Sequence, residues 1–280
     1  MRGLVAAVVL VAAVSCAWAA RARMVRVEAA DNGTKELLYL PNGKYLKAAS
    51  LGHAPLVADV VYLWAIQYYS DYGRVDRYKY VEHVFGEVVA ELDPRYLDPY
   101  WLGALILTTE ARDLEGGLRL LDRGFRNNPG QWILPYLAGW ECDHARQFDR
   151  AAAYFERAAA TPGAPASLLR LEAGMTARSG DLRGAIARWQ QVLDDPRNDD
   201  EARGIARRQI RSLTVRADLA DLGAAVEAFR TRVGRRPRSL EELVAAGALR
   251  GIPVDPDGDP YVYNPATGVI TSAASRVLGS

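Results

Sequence analysis

Three carboxylates, Asp255, Asp257 and Asp259, alternate with Pro256, Gly258 and Pro260 near the C-terminal end of the chain. Alternating Asp side chains are hard oxygen donors of the kind that hold calcium. A helix-loop-helix calcium site requires a glycine at its sixth position and a bidentate glutamate at its twelfth. Counted from Asp255, the glycine is fourth, at Gly258, and the twelfth residue is Ala266, so that loop is excluded. The other reading is a rigid turn, with the prolines fixing the backbone and the Asp side chains bonding to nearby amides. The thiols are Cys16 and Cys142, and the imidazoles His53, His83 and His144 are scattered, without zinc-ligand spacing. No Gly-rich phosphate loop, Gly-x-Ser-x-Gly elbow or His-Glu-x-x-His motif occurs. Asp194-Asp195 and Asp199-Asp200 read as solvated or capping residues between helices. The expectation is therefore a non-enzyme without a cofactor.

The elements that must position these residues begin with an apolar run. Gly3 to Ala20 carries no charge and follows Arg2, which reads as a secretory signal peptide or a retained anchor. Ala17-Trp18-Ala19 is a small-x-small pattern for cleavage, whereas Ala13-Val14-Ser15-Cys16 offers Cys16 as a lipidation site. Arg21, Arg23 and Arg26 would favour the cytoplasmic side for that end of an uncleaved segment. Export is the expectation. Loss or lipidation of Cys16 leaves Cys142 without a disulfide partner, and its helical context makes it a small buried thiol. A formal net charge of +1 gives no global attraction to nucleic acid or to an anionic bilayer.

The middle of the chain repeats. Gly117, Ala151 and Ala185 are spaced by 34 residues. Bulky Leu121, Phe155 and Trp189 follow four residues later, then smaller Gly124, Ala158 and Val192, and Pro129, Pro162 and Pro196 close the units. Small residues let two helices approach, a bulky one fills the space toward the neighbouring unit, and proline ends the helix. An earlier helix is available to each unit in 99–112, 132–145 and 166–180. On this period and pattern, residues 98–197 resemble the tetratricopeptide repeat (TPR). Pro135 is expected to interrupt one first helix, and Thr108, Cys142 and Thr176 replace the usual tyrosine. The resemblance implies a scaffold whose first helices line a partner-binding groove.

Upstream, Leu56, Val60, Leu63 and Ile66 or Gln67 recur at helical spacing behind Pro55, and with a second helix at 78–92 suggest a divergent first repeat. Ser50, Leu51, Gly52, Ala58, Asp59, Trp64, Gln67, Tyr68 and Tyr69 resemble a segment of exported bacterial TPR proteins. Asp59 and Gln67 are expected to cap a loop or satisfy buried backbone. Asn42-Gly43 reads as a hairpin turn or as part of an extended arm.

After the repeats, basic residues crowd one helix between Arg203 and Arg216, most simply a solvated face. From about Thr214 a long amphipathic helix runs to Gly234, and Ser239 with Glu242 has capping-box spacing before a short helix ended by Gly247. Two short strands joined at Asn264–Gly268 complete the chain. Pro237, Leu240, Leu243, Pro253, Asp255, Pro256, Gly258, Pro260, Tyr261 and Tyr263 resemble the C-terminal part of type II secretion pseudopilins. Because pseudopilins can bind calcium near this region, the resemblance implies a looser cation site at Asp257 or Asp259.

The resulting expectation is mainly α. It comprises a signal peptide or anchor at 1–20, an extended arm at 21–54, a TPR-like helical-hairpin solenoid at 55–213, and a pseudopilin-like helix with a small α/β module at 214–280. The function expected is a non-catalytic envelope scaffold binding protein partners, in a pilus- or secretion-related assembly, or alternatively a structural lipoprotein without a peptide ligand. It would be periplasmic or membrane-anchored facing the periplasm, bind no nucleic acid, and touch membrane only through its N-terminus.

Overall fold

A computed structural model describes residues 15, 40–73 and 77–272. The apolar run 3–20, apart from Ser15, and Cys16 lie outside the described residues. The molecule from Gly43 onward is an array of antiparallel helical hairpins, a long helix and a two-stranded hairpin. Helices α1 (Gly43–Ala49) and α2 (Ala54–Tyr69) lead into π1 (Glu82–Val89), a π-helical stretch that continues as α3 (Ala90–Leu92). Next come α4 (Asp98–Leu105), extended by π2 (Ile106–Glu110), and α5 (Leu114–Asn127). The regular part contains α6 (Ile133–His144), α7 (Phe148–Ala159), α8 (Ser167–Ser179) and α9 (Leu182–Asp194). Helix α10 (Asp200–Val233), α11 (Leu240–Ala245), β1 (Val262–Tyr263) and β2 (Ile270–Thr271) follow.

Helices α5, α7 and α9 begin 34 residues apart, at Leu114, Phe148 and Leu182. The period seen in sequence is therefore the period of the hairpins. All nine residues of the small-bulky-small pattern, from Gly117 to Val192, are buried. A Cβ on Gly124 would sit 2.7 Å from the Tyr100 ring, and one on Gly139 would sit 2.8 Å from Phe155. Glycine at these positions permits the close helix approach that the pattern implies. Asp113 and Asp181 cap α5 and α9 by accepting the amides of Gly116 and Gly184 at 2.9 and 2.8 Å.

Ion pairs run between successive hairpins. Arg150 pairs with Glu115, Arg157 with Asp122 and Arg178 with Asp143, each 35 residues away, at 2.6, 2.7 and 2.5 Å. Solvent screens such surface pairs, so the ladder sets register more than it supplies stability. The buried apolar layers hold the array together.

Helix α10 crosses two cores. Ala206 and Leu213 pack with Ala173, Trp189 and Val192, whereas Val215, Leu222, Val226 and Phe229 pack with Leu240, Leu243 and Tyr261. The expected start near Thr214 falls inside this helix, because Asp199 caps its true beginning by accepting the Ala202 amide at 2.7 Å. Gly234 ends it in the left-handed region, at φ 79°.

Other expectations change. Residues 43–49, read as a turn or extended arm, form α1. Pro135 does not interrupt α6, because it occupies the first turn, where a helix has no use for the missing N–H. Ser239 is the N-cap of α11, but no reciprocal capping box closes. Its hydroxyl meets Glu241, and Glu242 accepts the Arg238 amide at 2.6 Å. Among the described residues, no helix is long and apolar enough to cross a membrane.

Candidate functional site

The 34-residue period places corresponding residues of the first helices in rows. Leu102, Ile106 and Glu110 on α4 and π2 correspond to Tyr136, Trp140 and His144 on α6, and then to Arg170, Gly174 and Arg178 on α8. The first of these sets lines a pocket of about 140 Å³, whose other walls are Ile66, Tyr69, Ser70, Tyr72 and Tyr78. The pocket thus lies between the first two hairpins, at the row positions that continue along the array.

One wall of this pocket is a polar knot. Tyr78 donates its hydroxyl hydrogen to Glu110 at 2.6 Å, and Arg77 donates to the same carboxylate at 2.8 Å and to the Tyr69 carbonyl at 3.1 Å. The Arg77 guanidinium also contacts the Tyr78 hydroxyl and lies over the Tyr72 and Tyr78 rings, 4.1 and 4.6 Å from their centroids. The bond to Glu110 pushes the Tyr78 phenol above its ordinary pKa. The Arg77 guanidinium thus already pairs with the Glu110 carboxylate inside the site. The Tyr69 hydroxyl is buried without a hydrogen-bond partner, and burial pushes its pKa up. What the pocket presents to a visitor is mostly apolar and aromatic.

On α6 the row becomes a stack. Trp132, Tyr136, Trp140 and His144 recur every four residues, with neighbouring ring centroids 5.8, 6.2 and 5.8 Å apart. Tyr136 and Trp140 rest on buried Phe155 at 6.1 and 6.3 Å and remain half-buried. Packing on one side and exposure on the other gives rigid amphipathic rings suited to partner contact. On α8 two of the three positions turn basic, Arg170 and Arg178, with Arg178 held by Asp143.

The three aspartates that opened the sequence reading do not converge. Asp255 is 3% exposed and accepts the amides of Asp257 and Asp259, each at 3.0 Å, and the Ser272 hydroxyl at 2.7 Å. Gly258, at φ 88°, completes the turn, and Val254 bridges to Pro260. Asp257 points instead to Arg211 on α10, with which it forms an ion pair. Among the described residues, no group of three or more His, Cys, Asp or Glu side chains is placed to hold a metal ion. Asp59 and Gln67, expected to cap a loop or to satisfy buried backbone, are both exposed within α2. Cys142 is buried, and desolvation pushes its thiol up to about 11, which keeps it protonated and inert.

Two polar groups went unremarked in the sequence. Asp218, 4% exposed, accepts Arg183 of α9 at 2.7 Å and the Tyr261 hydroxyl at 2.8 Å, tying the last hairpin, the long helix and the C-terminal module together. Glu172 on α8 is 3% exposed and lies 2.7 Å from Arg188, which also reaches Glu156. Burial raises the Glu172 carboxyl to about 7 against the opposing pull of Arg188. Asp218 and Glu172 lie in apparently ordinary helical stretches, and only the approach of distant helices buries them.

No family model matches the chain, and no curated protein matches it. Among solved structures, it is similar to a thermophilic TPR protein of Thermus thermophilus, at 19% identity and a TM-score of 0.34. That match covers 59% of this chain and 88% of the other. The helical-hairpin architecture described above rests on the chain's own geometry.

Proposed function

We propose that the chain is a non-catalytic scaffold of the bacterial envelope that binds protein partners along the first helices of its array. The observation carrying this reading is the continuity of the rows. An apolar pocket at Leu102 and Ile106 leads, at the repeat spacing, into half-buried Tyr136 and Trp140. Rigid aromatic anchors beside a pocket suit a peptide or helix, because apolar side chains bury there at little cost in conformational entropy.

Export and membrane attachment rest on the apolar run Gly3–Ala20 and on Cys16. The pilus or secretion context rests on the C-terminal module, where the pseudopilin-like Leu240, Leu243, Asp255 and Tyr261 are all buried. In this reading the module is a second docking element held against the array by Asp218.

Photocrosslinking from position 140 in the cell of origin, followed by identification of the adducts, tests the function. Adducts with envelope proteins that disappear in Tyr136→Ala are expected. Adducts confined to cytosolic proteins, or a pattern that Tyr136→Ala leaves intact, would overturn it.

A further inference from the structure

Among the described residues, none covers a helix-sized apolar face of α2. Leu56, Val60 and Leu63 are 62%, 60% and 60% exposed, and Gln67 continues the same face. Their spacing is four, three and four residues, the 3.5-residue repeat of a helix-pairing seam. Val60 then occupies the position where paired helices favour a β-branched residue, between Leu56 and Leu63 at the positions that favour leucine. Trp64 lies beside the seam, and exposed Leu51 stands in the turn before the helix, held in the left-handed region at φ 51°. Of the 13 large apolar side chains exposed among the described residues, seven fall between Tyr45 and Tyr72.

The position of α2 in the stack explains the gap. Helix α6 packs between α5 and α7, and α8 between α7 and α9, whereas among the described residues α2 is preceded only by the seven-residue α1. Terminal repeats normally carry a polar outer face. The far end obeys that rule, since α10 covers α9 and exposes Arg207, Arg208 and Arg211. The near end breaks it.

We infer that this face pairs with the same face of a second copy, α2 against α2 across a two-fold axis. The seam spacing calls for a helix as occupant. A bilayer-surface helix would carry Lys or Arg along its polar flank, and α2 contains neither, its one charged residue being Asp59. Head-to-tail stacking of copies would bury the guanidinium groups of α10 against leucine and valine, at a heavy desolvation cost. Head-to-head pairing joins two nearly uncharged seams and closes the assembly as a dimer. Each array is then continued by its partner, and two grooves are carried by one particle.

Sedimentation of the full-length chain across a concentration series, with Leu56→Ser/Leu63→Ser as comparison, reads the association directly. The unsubstituted chain is expected to form a dimer, and the double variant to dissociate at least tenfold more readily with unchanged circular dichroism. Oxidation of Val60→Cys should trap the dimer, whereas Arg207→Cys on the opposite end should not. A monomer at every concentration, or a dimer that the double substitution leaves equally tight, would overturn the inference. So would protection of α2 from hydrogen exchange by phosphatidylcholine–phosphatidylglycerol vesicles while the chain stays monomeric, which would assign the face to a bilayer.

Discussion

The two ends of the hairpin array solve the same problem in opposite ways. At the C-terminal end, one 34-residue helix passes from the last hairpin into the following module, and the buried Asp218 carboxylate joins Arg183 to Tyr261 across the junction. At the N-terminal end, π1 and π2 interrupt the helices and Leu56, Val60 and Leu63 face outward. A π-helical turn accommodates an extra residue and tends to mark a functional position. Regularity thus increases along the chain, from a first hairpin that exposes apolar side chains toward a last one joined rigidly to the module that follows.

Asp218→Ala should weaken the rigid end most. It leaves the buried Tyr261 hydroxyl without its acceptor and deprives Arg183 of one of two carboxylates, at a cost of about 2–4 kcal/mol in urea unfolding. A loss below about 1 kcal/mol would mean that the apolar contacts of Tyr261 alone hold the module.

Glu172 gives the array a pH dependence. Its folded-state value near 7 lies above the ordinary 4.5, so the folded protein retains a proton that the unfolded chain releases. The associated stability is fully present below about pH 4.5 and is lost as pH rises through about 7. Glu172→Gln should flatten the profile of Tm against pH across that window and stabilise the protein above pH 7 by about 1–2 kcal/mol. An unchanged slope would show that Arg188 keeps the carboxylate ionised.

The smallest effect distinguishes the hairpins by their internal turns. Arg112, Arg146 and Gly180 occupy the same place 34 residues apart, and all three have positive φ, at 57°, 57° and 101°. Only glycine adopts this conformation without strain. Arg112→Gly and Arg146→Gly should therefore each stabilise by about 0.5–1 kcal/mol, and Gly180→Arg should destabilise by a similar amount, measured as midpoint shifts in urea. Equal midpoints would show that the arginines offset their strain through contacts of their own.

The regular hairpins were the most legible part of the chain. Gly117, Ala151 and Ala185 announced the period because close helix packing tolerates only small side chains there. The turn around Asp255 was legible for a similar reason, since Pro256, Gly258 and Pro260 restrict the backbone locally. Less legible was everything that depends on length or on distant partners. The amphipathic pattern suggests a helix start near Thr214 because it changes face there, where α10 leaves one core for another. Asn42-Gly43 carries the signal of a turn or of an extended arm, yet Gly43 begins a helix and packs against π1, where a Cβ would lie 2.6 Å from the Val88 carbonyl oxygen. The pocket escaped notice because Tyr69, Tyr78 and Ile106 come from separate elements.

By itself the sequence determined the helical class, the 34-residue period, the hairpin core and the turn chemistry of the C-terminal module. Each depends on local sterics or on a repeat short enough to read along the chain. Only the tertiary structure decided which polar groups are buried, that Asp218 and Glu172 meet arginines of neighbouring helices, and that no described element covers the apolar face of α2. Those outcomes depend on which surfaces meet, and a helix records its own amphipathicity in sequence without recording what, if anything, comes to rest against it.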